Sequence, residues 1–197
     1  MFSITPCAAG CGRPAISHST LCAAHSADPE EEARRIEVYI TSRKSIKDLN
    51  AQGLRFEGLD FSGRHFYGCS FSGASFSNCN FSRAYMRLVL SDFAQFTSCD
   101  FSAGDFQFVS FAGTDLNNCT FKGSELTNVN FSGAIISDVI FNDNDLLNSR
   151  FIEAKVSRTK FINCNLKHTY FVKCLQDEVV FKSSNPDNAI FEMEGIS

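Results

Sequence analysis

Residues 66–81 read Phe66-Tyr67-Gly68-Cys69-Ser70-Phe71-Ser72-Gly73-Ala74-Ser75-Phe76-Ser77-Asn78-Cys79-Asn80-Phe81, with a phenylalanine at every fifth place. The phase extends without a slip from Phe56 to Phe191. Of its 28 positions 18 are Phe, and most of the rest are Leu, Ile, Val or Met. The chain holds 21 Phe, so only Phe2, Phe93 and Phe108 stand outside the series. Two places before each central residue the side chain is small or slim, as at Cys69, Ala74, Cys79, Ala84 and Val89; Arg64 and Asn144 fit least well.

A period of five suits neither regular element. On an α-helix, five steps of about 100° leave successive rings about 140° apart, so they circle the axis instead of forming a stripe. On a straight strand five steps reverse the face each time. A chain extended for three residues places the central residue and its small partner two places back on one side. It must then bend so that the next pair again faces inward. Gly58, Gly63, Gly68, Gly73, Gly113, Gly123 and Gly133 fall two places after the centre, where a corner calls for positive φ. Each quintet reads as one side of a closed tube.

Repeats such as Cys69-Ser70-Phe71-Ser72-Gly73 and Cys99-Asp100-Phe101-Ser102-Ala103 resemble the pentapeptide-repeat family. The resemblance implies an all-β solenoid, a right-handed quadrilateral β-helix with four repeats per coil. Twenty-eight repeats then give about seven coils and a rod on the order of 30 Å long. Reading every twentieth residue agrees: Phe61, Phe81, Phe101, Phe121, Phe141, Phe161 and Phe181 form one side, and Phe71, Ser91, Phe111, Phe131, Phe151, Phe171 and Phe191 the opposite one. Met86 and Ser91 are consecutive departures, and Gln176 and Pro186 predict distorted last coils. Cys79, Cys99 and Cys119 fall in the inward slot, which accounts for them without a metal or a disulfide.

Ahead of the repeat stands Cys7-x3-Cys11-x10-Cys22-x2-His25. Three thiolates and one imidazole in two close pairs match a closed, structural zinc site. His18 is an alternative fourth ligand; His25 is preferred because Cys-x2-His brings both groups to one side of a turn. Asp28-Pro29-Glu30-Glu31-Glu32 then reads as a helix start, with a capping Asp, Pro at the first position and acids at the positive end of the dipole. Ile36, Tyr39 and Ile40 give that helix, over 29–43, one apolar face. A first coil with unpaired backbone and apolar rings needs cover, and this helix is the natural lid. The division expected is a zinc knuckle over 1–27, a capping helix and linker over 28–45, and the solenoid over 46–193.

The whole chain has 197 residues, a net charge of -4 and no Trp. No apolar run is long enough for a membrane span, and Met1 to Cys7 lack the basic start and apolar stretch of a secretion signal. Nine cysteines, an odd number, argue against a disulfide framework. The cytoplasm with reduced thiols is the expected setting. Between Ser91 and Ser149 eight acids stand against Lys122 alone, and Asp105, Glu125 and Asp145 are twenty apart; such a run has two readings, ordinary solvated surface charge or an acidic interaction face that imitates a DNA phosphate row or docks a basic protein surface. No Ser-His-acid grouping, phosphate loop or nucleotide fingerprint is present, and a tube filled with side chains leaves no pocket, so no catalytic activity is expected. Arg13 is the only basic side chain of the first 27 residues, too little charge for phosphate binding. The reading is a non-catalytic interaction scaffold for a protein partner, without direct nucleic-acid or membrane binding. A homodimer through the carboxyl end, which offers no covering helix, is a further expectation. The alternative is a regulator of a DNA-handling enzyme such as a type II topoisomerase, since some pentapeptide-repeat proteins bind DNA gyrase as duplex-like rods. Against it, the rod from residue 51 carries 16 acids but also 12 bases.

Overall fold

In the computed structural model, which describes residues 5–192, the quintets close into a four-sided β-solenoid of about seven coils. Residues 1–4 of the expected knuckle and residue 193 at the expected end of the rod lie outside the described residues. Three-residue strands, each with its central side chain buried except in the last, Leu175–Asp177, line two opposite sides. One sheet stacks Ser45–Lys47, His65–Tyr67, Tyr85–Arg87, Asp105–Gln107 and Glu125–Thr127. The other runs from Arg55–Glu57 to Leu175–Asp177 in seven strands. Pairing is parallel between residues twenty apart, as in Phe56 with Phe76 and Leu116 with Ile136. The other two sides are held by single bridges at the same spacing, such as Asn80 to Asp100 and Ser110 to Asn130, until Lys160–Ile162 pairs with Val180–Lys182. The register is unchanged between Ser45 with His65 and Phe161 with Phe181.

Every corner from Asp48 to Ser183 has positive φ, whether or not glycine occupies it. Stacking demands the same quarter-turn of each quintet, so tertiary packing overrides the local preference. Asn and Asp accept this conformation readily; Leu88, Phe93 and Phe108, at φ 54, 57 and 55, are bulky residues in a region where such side chains are rare.

Inside, the rings form two long columns and a short third one, Phe56, Phe76 and Phe96, in the amino-terminal coils. From Phe81 to Phe161 neighbouring centroids lie 4.6 to 5.0 Å apart with interplanar angles of 8° or less. The opposite column, Phe111 to Phe191, stacks at 4.8 to 5.4 Å. The columns meet edge to face, as Phe121 meets Phe131 at 6.0 Å and 90°, the arrangement the ring quadrupole favours. Of the polar residues in the small slot, Thr114 and Thr159 donate to the nearby Phe111 and Ser157 carbonyls, whereas some others donate to the carbonyl 23 residues earlier, Ser124 Oγ to Phe101 O at 2.8 Å and Thr169 Oγ1 to Leu146 O at 2.9 Å. Asn144 fits by the same device, its Nδ2 donating to Phe121 O at 2.5 Å and Ser124 O at 3.0 Å. Arg64 instead sends its Nη1 to the Arg43 carbonyl at 2.9 Å.

Helix α1, Pro29–Thr41, begins where the Asp28 carboxylate accepts the Glu31 amide at 2.9 Å. It ends two residues short of the expected 43, where the Ser42 amide turns back to the Ile40 and Val38 carbonyls. Ala33, Ile36 and Ile40 are buried against the first coil, with Tyr39 partly so. At the other end Gln176 is exposed, Pro186 opens a short 3-10 turn, and Phe191 is 39% exposed, the decay its departures from the period predict. Among the described residues no helix is long and apolar enough to cross a membrane.

Candidate metal centre and outer faces

The amino-terminal segment folds back on itself: Pro6 bridges Pro14, and the Cys7 amide donates to the Arg13 carbonyl at 2.9 Å. Gly10 and Gly12, at φ 70 and 75, make the reversal that returns Cys11 toward Cys7. A helical turn after Cys22, with the His25 amide donating to the Cys22 carbonyl at 3.0 Å, carries the imidazole back to the thiols. One donor atom from each of Cys7, Cys11, Cys22 and His25 lies within 4.8 Å of the others, and the four could hold a metal ion.

Cys11 Sγ and Cys22 Sγ are 3.8 Å apart, and His25 Nδ1 is 3.4 Å from Cys22 Sγ and 3.7 Å from Cys7 Sγ. A tetrahedron with Zn–S of about 2.3 Å and Zn–N of about 2.0 Å has edges of roughly 3.5 to 3.8 Å, so the donor set and these three separations fit that ion. The Cys22 amide donates to Cys7 Sγ at 3.4 Å and holds that thiol down at about 6, favouring the thiolate a metal needs. At Cys11 the Arg13 amide pulls the same way, but burial and the Cys22 and Cys7 sulfurs outweigh it and push the thiol up. His18 is elsewhere, its ring 5.0 Å from that of Tyr39.

The knuckle is joined to the rod as well as to the helix. Ile16 enters the main core at 1% exposure. Around it the Ser17 amide donates to Asn50 O at 2.9 Å, Asn50 N to Ser17 Oγ at 2.8 Å, and Asn50 Nδ2 to Ala15 O at 2.6 Å. Ser19 Oγ reaches Glu32 Oε1 at 3.1 Å. The interior of the rod is filled, as expected. The junction, however, leaves a cleft of about 750 Å³ bordered by Arg13, Glu30, Gln52 and Arg55, which the repeat could not foretell.

Asp105, Glu125 and Asp145 do stack on one side, each bridged to the next. Arg87 neutralises the first through Nη2 to Asp105 Oδ2 at 2.6 Å, and Asn165 Nδ2 donates to Asp145 Oδ1 at 2.9 Å. Of the rest of the acidic run only Asp143, at the corner just before Asp145 and hydrogen-bonded by Asn163, borders them. Asp92, Asp100 and Asp115 lie on the other three sides, and Asp138 sits at a corner paired with Arg158 at 2.7 Å. The sequence reading missed a set of exposed apolar residues beside this face: Leu88 at 58%, Phe108 at 57%, Leu90 at 38% and, one corner further, Phe93 at 75%. The signal available was that Phe93 and Phe108 break the phase of the other rings.

The rod thiols are free, and all but the half-buried Cys174 are buried. Cys79, Cys99 and Cys119 donate to the carbonyls of Phe56, Phe76 and Phe96 at 3.7, 3.5 and 3.4 Å. The neighbouring Cys99 thiol and burial push Cys79 far up, and Cys119 together with burial raises Cys99 to about 12, which keeps both as inert thiols.

Two family models match the chain: pentapeptide repeats (8 copies) over residues 50–89 and a pentapeptide repeat region over residues 94–171. Among solved structures the chain is similar to HetL of the cyanobacterium Nostoc, described as involved in heterocyst differentiation regulation. The two are 11% identical over 84% of this chain and 98% of that one, with a TM-score of 0.30. Rfr23 of the cyanobacterium Cyanothece is 10% identical over 81% and 99%, at 0.40. Full-length QnrB1, described as a plasmid-mediated fluoroquinolone resistance protein, is 20% identical over 72% and 92%, at 0.31. No curated protein sequence matches the chain.

Proposed function

The chain belongs to the pentapeptide-repeat family, and from that premise we propose that it is a non-catalytic protein-interaction scaffold. Its first coil is locked by a structural zinc at Cys7, Cys11, Cys22 and His25, and Asp105, Glu125 and Asp145 dock a basic protein surface. The observation that carries this reading is the division of labour in the coil. Rings such as Phe101, Phe121 and Phe141 are fully buried, whereas the residues beside the central positions face out in straight rows. Arg87 of the same chain already meets Asp105, but Glu125 and Asp145, about 4.8 Å apart on successive coils, repel each other unless cations meet them from outside.

Zinc suits the amino-terminal set because four protein ligands close its shell and leave no position for a reacting water. Its work there is to hold Ile16 in the core. Duplex imitation draws less support, because Arg87 and Arg158 neutralise Asp105 and Asp138 and the other acids are spread over the sides. The test of the docking face is affinity capture from native lysate with wild-type chain and an Asp105→Lys, Glu125→Lys, Asp145→Lys variant. Loss of a captured protein is expected; an unchanged set refutes the face. For the metal, elemental analysis after metal-replete purification is expected to give one zinc per chain, and well under one counts against it.

A further inference from the structure

We infer that the basic surface meeting Asp105, Glu125 and Asp145 is the amino-terminal half of the same face on a second copy of this chain, in an antiparallel, side-by-side dimer centred on Leu88 and Phe108. This rests on reading that ladder as a docking face, and it names the partner.

Along the outward rows of this face the charge changes sign between the coils of Met86 and Phe106, and Lys167 brings back a single cation beyond Asp145. Lys47, His65 and Arg87 occupy the coils on the amino-terminal side, and Asp105, Glu125 and Asp145 those on the other. The basic half also carries aromatic rings in mutual contact. The Arg87 guanidinium lies 3.6 Å over the Tyr85 ring, which is 5.5 Å from Tyr67 and 5.3 Å from His65. Arginine and tyrosine are the side chains that interface cores concentrate.

At the change of sign, on the adjoining corner, Leu88 and Phe108 stand one coil apart, more than half exposed and at positive φ. In the single chain these side chains sit in a disfavoured backbone region and pack little in return. A partner surface supplies what the monomer lacks.

A two-fold axis lying across the face, between the coils of Met86 and Phe106, turns each coil on one side into its opposite number on the other. His65 then meets Glu125, the coil of Lys47 meets that of Asp145, and Leu88 meets Phe108, every contact occurring twice as an isologous interface requires. The Arg87–Asp105 pair falls beside the axis already neutralised, which lowers the cost of drying it. The carboxyl-terminal end offers exposed Leu175 and Val180 but no such reversal of charge along one face.

Sedimentation equilibrium on the full chain tests this. The wild type is expected to dimerise, more weakly as salt rises. Phe108→Gly relieves the positive φ, so it is expected to raise the melting temperature of the dilute monomer while weakening dimerisation about tenfold. A purely structural Phe108 predicts no loss of association. A Lys47→Glu, His65→Glu, Arg87→Glu chain and an Asp105→Lys, Glu125→Lys, Asp145→Lys chain are each expected to stay monomeric, and their mixture to associate one to one. A dimer indifferent to Phe108→Gly but abolished by Leu175→Asp and Val180→Asp overturns the assignment in favour of the end. A monomeric wild type whose lysate capture still depends on the ladder overturns the dimer and leaves the scaffold standing; a ladder reversal that changes neither removes both.

Discussion

The two ends of the rod are finished by different means. At the amino end Ile16, Ile36 and Ile40, each 1% exposed, close over the first coil, and Arg64 reaches back to the Arg43 carbonyl. At the carboxyl end the inward series simply fails, with Gln176 exposed and Phe181 and Phe191 only partly covered. In the middle each coil is covered by its two neighbours, and the same quintet suffices everywhere. A terminal coil lacks one neighbour, so its stability depends on what else lies against it.

Removing the metal, or the whole cap that it orders, should give the largest effect. Within residues 5–26 the buried apolar side chains are only Cys7, Ala15, Ile16 and Cys22, too few to order the segment. In zinc knuckles the metal's binding free energy, on the order of 10 kcal/mol, is the folding free energy. Chelation or Cys22→Ser is therefore expected to open this segment to protease while far-UV circular dichroism of the rod persists. Deleting residues 1–45 goes further and should cause aggregation, since it bares Ile46, Leu54 and Phe56; deleting residues 182–197 should not. A metal-free segment still protected from cleavage would remove the contrast between the ends.

Single core truncations sharpen the comparison at smaller scale. Phe121 is fully buried between Phe101 at 4.6 Å and Phe141 at 5.0 Å, and Phe121→Ala is expected to cost about 3–5 kcal/mol in urea unfolding. Phe181 keeps its stack on Phe161 at 5.1 Å but is half-buried, so Phe181→Ala should cost only about 1–2 kcal/mol. Equal losses would show that the carboxyl end is packed as firmly as the middle.

How far the sequence announced these features depends on whether the coil or the corner decides them. The spacing of Phe61, Phe81 and Phe101 dictates register, and with it the buried columns; Gln176 and Pro186 announce the failing end for the same reason. The order Cys7, Cys11, Cys22, His25 carries chemistry dense enough to recognise before any fold is known. Corner residues carry no comparable mark. Phe108 is as apolar as Phe106, and only the quarter-turn between them puts one outside. The acidic run from Asp92 to Asp145 reads as one patch along the chain, yet a twenty-residue coil distributes it over four sides. Asn144 looks out of place until its amide is seen to give the Phe121 carbonyl, which already accepts the Ser124 amide, a second donor from the next coil.

The smallest effect belongs to the surface between the ends. Arg158 clasps Asp138 from the next coil, Nε to Oδ1 at 2.9 Å and Nη2 to Oδ2 at 2.7 Å, and this guanidinium holds the Asp138 carboxyl below its ordinary value. A carboxyl depressed in the folded chain adds stability above its unfolded value, about 3.9, and loses it as pH falls through the lower folded value. Both side chains are nearly half exposed, so water and salt screen the pair. Arg158→Ala is expected to lower the melting temperature slightly at neutral pH. The gap to wild type should close in acid, because protonated Asp138 no longer distinguishes the two chains. A gap that persists or widens on acidification would mean that Arg158 braces the coil against its neighbour through contacts other than this ion pair. The uniform stacking of the middle, against which both ends are measured, would then rest on the outer surface as well as on the rings.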